Sequence, residues 1–65
     1  MERVRNFMLN KCRDFPDLSE EILYLYLILL DNIINKNKPE TEEIQLFFNG
    51  VYNLIDDYHE RKSEV

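Results

Sequence analysis

The chain of 65 residues has one cysteine (Cys12), one glycine (Gly50), one histidine (His59), two prolines and no tryptophan. A single cysteine excludes an intrachain disulfide and fits a reducing compartment, so a cytoplasmic setting is expected. One cysteine and one histidine fall short of the roughly four ligands that a closed structural zinc site takes. One glycine and two prolines are too few turn formers for a sheet of several strands. A glycine-rich phosphate loop is lacking for the same reason. No basic segment leads into an apolar stretch and a small-residue cleavage site, so no signal peptide is expected.

Long hydrophobic runs are also scarce. The longest, ILYLYLILL (22–30), ends at Asp31, far short of the roughly 20 apolar residues that a spanning helix needs. A membrane segment is therefore not expected, although the run is conspicuous in a chain that is 32% charged.

Small size limits the fold to one domain. A chain this short buries only about 60% of the surface that its unfolded form exposes. Its own core supplies roughly 3–5 kcal/mol unless something staples it. With disulfides excluded and metal ligands scarce, association with a second copy is the expected staple, giving a homodimer.

Charge is unevenly distributed. The net charge is −5, yet residues 1–13 carry Arg3, Arg5, Lys11 and Arg13 against Glu2 alone, a balance of +3 that leaves −8 on the remainder. An acidic body is repelled by nucleic acid and attracted to basic protein surfaces.

What is present in abundance is helical periodicity. Met1, Val4, Met8, Cys12 and Phe15 recur at helical spacing with Phe7 beside them, predicting a helix over about 2–14 that stops before Pro16. Asp17 and Glu20 stand at capping-box spacing before a second helix over about 18–36. On that helix Ile22, Leu23, Tyr26, Leu27, Leu29, Leu30, Ile33 and Ile34 cover an arc of roughly 160°, a face wide enough for two neighbours. A third helix over about 40–61 opens at Pro39 or with Thr41 as its cap. Ile44, Phe47, Phe48, Val51, Leu54, Ile55 and Tyr58 form its apolar stripe. Short connections make neighbouring helices antiparallel. The expected fold is all-α, a small three-helix bundle in a single domain, 1–65.

Candidates for chemistry are few. Cys12 lies on the apolar face of the first helix, as a structural cysteine does. His59 sits in a last turn, where a cation suits the helix dipole. No nucleophile, base and orienting group converge, so no enzymatic activity, catalytic residue or cofactor is expected. In DDYHE, Asp56, His59 and Glu60 share one helix face at a spacing known from metal sites in bundle cores, but matching ligands would have to come from a second copy. A helix–turn–helix reading would place Glu40, Glu42 and Glu43 at the DNA, the wrong sign for a phosphate backbone, so direct nucleic-acid binding is disfavoured.

Several apolar residues have no core position. Tyr24, Leu25 and Ile28 project among polar neighbours on the second helix, and Leu46 falls off the stripe of the third. A cluster of that kind marks an interaction site. With Glu20, Glu21 and Asp31 it predicts a surface for another protein, and the expected role is that of a small regulator or inhibitor. The acidic exterior also allows imitation of nucleic acid. The alternatives are a structural adaptor in a larger helical assembly and, behind it, a DNA-binding regulator or a dimer-assembled metal site. The stretch NKNKPETEEIQLFF (35–48) resembles part of the Hha/YmoA family of small helical regulators, which partner nucleoid proteins. That match spans about a fifth of the chain. The spacing between Cys12 and this stretch departs from the family's, so no family is assigned.

Overall fold

The computed structural model describes residues 1–63. Helices α1 (Glu2–Asp14), α2 (Ser19–Ile34) and α3 (Glu40–Ser63) follow in chain order, with a single 3-10 turn (Pro16–Leu18) between the first two. No strand occurs among the described residues. The all-α three-helix architecture expected from periodicity is the one observed. α2 is the middle member and packs against both α1 and α3. The molecule measures 43 × 17 × 16 Å. Its long axis is set by α3, whose 24 residues span about 36 Å at 1.5 Å per residue.

The ends of α2 differ from expectation in instructive ways. Asp17 and Glu20 form no capping box: no side chain caps this N-terminus, and Pro16–Leu18 runs as a 3-10 turn directly into Ser19. Asp17 instead accepts a hydrogen bond of 2.9 Å from the Tyr58 hydroxyl, 41 residues away. Phe15 meets the edges of Tyr58 and His59 at 6.1 and 5.8 Å. The α1–α2 turn is thus fastened to the far end of α3, and a long-range partner has displaced a local cap. At the other end α2 stops at Ile34, two residues before the expected Lys36. Asn37 adopts φ 52°, the left-handed conformation that asparagine tolerates best after glycine. The Lys36 and Lys38 amides then return to the carbonyls of Asp31 and Asn32, satisfying the helix end. α3 starts at Glu40, with the Glu43 amide donating to the Pro39 carbonyl, so Thr41 lies inside the helix and does not cap it.

The core is a narrow seam. Ile22, Leu29 and Val51 are fully enclosed, with Val4, Met8, Leu18, Phe47 and Ile55 around them. Phe7 connects α1 to α3 by edge contacts to Phe48 (4.5 Å), Tyr52 (5.8 Å) and Phe47 (6.1 Å). Tyr26 reaches Phe47 from α2 at 6.0 Å.

Two features of α2 overturn the expected assignment of its faces. Leu23, Leu27 and Ile34 were expected in the core arc, yet they are 45%, 55% and 69% exposed. Leu25, which was expected to project from the bundle, is half-buried and packs against the core. The seam of α2 runs through Ile22, Leu25, Leu29 and Ile33, continuing Leu18 of the preceding turn. The physical reason is the size of α1. With 13 residues and only Val4 and Met8 buried, it covers too little of α2 to use the whole arc.

Gly50 faces Leu25 across the α2–α3 contact. A methyl group built there would stand 3.2 Å from Leu25 Cδ1. Alanine would gain about 1 kcal/mol of helix propensity over glycine. The leucine tip that must yield lines an open groove and has room to turn. Gly50→Ala is therefore expected to raise the urea midpoint slightly, and a lower midpoint would show that Leu25 is held rigidly.

Candidate functional site

Between α2 and α3 runs an open, mostly apolar groove. One half, about 550 Å³, is lined by Glu20, Glu21, Tyr24, Leu25, Gly50 and Leu54. The other half continues past Leu25 to Ile28, Asn32, Glu43, Leu46 and Phe47. Leu46 also borders a separate hollow with Thr41, Glu42 and Gln45. Gly50 and Leu25 face each other across its lining.

Of the candidate residues, the fold brings Tyr24, Leu25, Ile28, Leu46, Glu20 and Glu21 to this groove. Of its apolar members Tyr24 and Leu46 are the most open, at 65% and 61% exposed. Asp31 is not brought there. It accepts a hydrogen bond of 2.8 Å from Asn35 and pairs with Lys36 at 3.6 Å. The Asn35 amide and then the Lys36 ammonium hold its carboxyl below the ordinary aspartate range. Carboxylates border the groove, Glu20 and Glu21 on α2 and Glu43 on α3, with Glu42 beside the neighbouring hollow. Glu43 accepts a 2.9 Å hydrogen bond from Asn32, which fixes the two helices beside the loop that joins them.

Sequence reasoning missed Gly50 and Leu54 as lining residues. A lone glycine in mid-helix was the available signal, because such a residue commonly marks a close approach. It also missed a second uncovered face. Leu23, Leu27, Leu30 and Ile34 follow one another at helical spacing on the side of α2 away from Leu25, with Leu30 half-buried and the others exposed.

The remaining chemical candidates have local roles. The Cys12 thiol sits 3.7 Å from the Ser19 carbonyl and 3.8 Å from the Met8 sulfur. Burial pushes its pKa up, so it stays a thiol at neutral pH. His59 lies edge-on to Phe15 and Tyr58. Among the described residues no group of three or more His, Cys, Asp and Glu side chains is arranged to hold a metal. Among the same residues no helix is long and apolar enough to cross a membrane.

No protein-family model, curated protein or solved structure matches this chain.

Proposed function

We propose that this protein is a non-enzymatic interaction module, a regulator or inhibitor that takes an amphipathic helix of another protein into the α2–α3 groove. The observation that carries this reading is the combination of an apolar lining (Leu25, Gly50, Leu54) with bordering carboxylates (Glu20, Glu21, Glu43). Helix-in-groove recognition requires an apolar trough that accepts side chains at i, i+3 and i+4 spacing. The carboxylates select a segment whose flanks are basic, and steer it there through solvent. Tyr24 supplies a rigid, amphipathic anchor of the type favoured at interfaces. The cytoplasm, expected from the lone cysteine, is the setting in which such a partner would be met. A structural adaptor is the second reading, favoured by the further apolar face on α2.

The test is titration with two short amphipathic helical peptides, one of leucine and lysine and one of leucine and glutamate. Binding of the lysine peptide is expected to weaken steeply with salt and to move the amide resonances of Tyr24, Gly50 and Leu54. Tyr24→Ala and Leu46→Glu are each expected to reduce affinity about tenfold or more, as loss of an interface anchor does. Equal binding of both peptides, or shifts confined to residues outside the groove, would overturn the reading.

A further inference from the structure

We infer that a second copy of this chain covers the other face of α2, packed antiparallel about a two-fold axis. The stripe of Leu23, Leu27, Leu30 and Ile34 has the i, i+4, i+7, i+11 spacing of a helix–helix seam. It is centred about 170° around the helix from Leu25, at 100° per residue, and shares only Glu20 with the border of the α2–α3 groove. Three of its four side chains are more exposed than any core residue of the fold.

Charge at the two ends of α2 selects the occupant and its direction. The first turn carries Glu20 and Glu21, and the turn just after the helix carries Lys36 and Lys38. A two-fold axis through the middle of the stripe sets Leu23 against Ile34 and Leu27 against Leu30 of the other copy. The same register places Glu20 across from the Lys36–Lys38 turn. Parallel packing would bring like charges together, Glu20 on Glu20 and Asp31 on Asp31, and would align the helix dipoles. Lys36 is available for exchange, because its pairing with Asp31 is on the surface and loosely held, at 3.6 Å with both side chains about half exposed. One pair of short helices buries less than a standard interface of about 1,600 Å². Assembly therefore closes at two copies and is expected in the micromolar range.

Sedimentation equilibrium of the full chain tests this from nanomolar to millimolar concentration. Wild type is expected to dimerise. Leu27→Glu, at a residue outside the core, is expected to weaken the dimer about a hundredfold or more while keeping the helical circular dichroism. Glu20→Lys and Lys38→Glu are each expected to weaken it, and the two together to restore it. A wild-type monomer throughout the range would overturn the inference, as would a dimer indifferent to Leu27→Glu. A double variant weaker than either single one would overturn the antiparallel register. Loss of the dimer on Leu46→Glu with Leu27→Glu silent would assign self-association to the groove, and would overturn this inference and the proposed function differently from failure of the peptide titration alone.

Discussion

Ile22→Ala is expected to leave a large fraction of the chain unfolded at room temperature. Ile22 is fully enclosed between the three helices and belongs to the seam that holds Leu29 and Val51. Truncating a buried isoleucine to alanine costs about 2–5 kcal/mol, a transfer loss plus the cavity left behind. A core of this size supplies only roughly 3–5 kcal/mol in total, so one truncation consumes most of the margin. Leu27→Ala removes a comparable side chain from an exposed site, and in dilute solution its effect is expected to stay within about 0.5 kcal/mol. Urea denaturation followed by circular dichroism separates the two. Similar midpoints for both variants would show that the seam is misplaced on α2.

Phe7→Ala is expected to release α1 from the rest of the molecule without destroying it. α1 buries only Val4 and Met8, and Phe7 is its aromatic contact with Phe47, Phe48 and Tyr52 on α3. Removing a half-buried phenylalanine with edge-to-face partners costs about 3 kcal/mol, the lower end for core aromatics. A helix of 13 residues is marginal on its own in water, since nucleation is costly and isolated helices need about 12–15 residues. Amide hydrogen exchange reads the outcome by region. Amides of α1 are expected to lose protection by about thirtyfold or more, while those of α2 and α3 around Leu29 and Val51 keep theirs. Uniform loss across all three helices would show that α1 is integral to a single cooperative unit.

The fold and the site were legible to different depths. The three helices could be read because each carries a periodic stripe and because Pro16 and Pro39 punctuate the chain. The groove residues Tyr24, Ile28 and Leu46 stood out because they interrupt polar faces. The capping box was legible and wrong: the spacing of Asp17 and Glu20 fits it, but Tyr58 competes for Asp17 from the other end of the sequence. Local spacing cannot register such a competitor. α2 ends at Ile34, where its apolar pattern also ends, and Asn37 beyond it takes the left-handed conformation.

Composition and period by themselves determined an all-helical, three-helix chain with an acidic body and a broad apolar surface on α2. They fix which residues lie on the same helix face, because 100° per residue is a property of the backbone. They do not fix which part of a broad apolar face turns inward. On α2 nearly every direction is apolar, so rotating the helix by one residue's width exchanges Leu25 with its neighbours at little cost in apolar residues. Tertiary packing decided that rotation. Leu25 turned toward Gly50 on α3, the short α1 left Leu23, Leu27 and Ile34 uncovered, and the two uncovered faces of α2 came to lie on opposite sides of one helix.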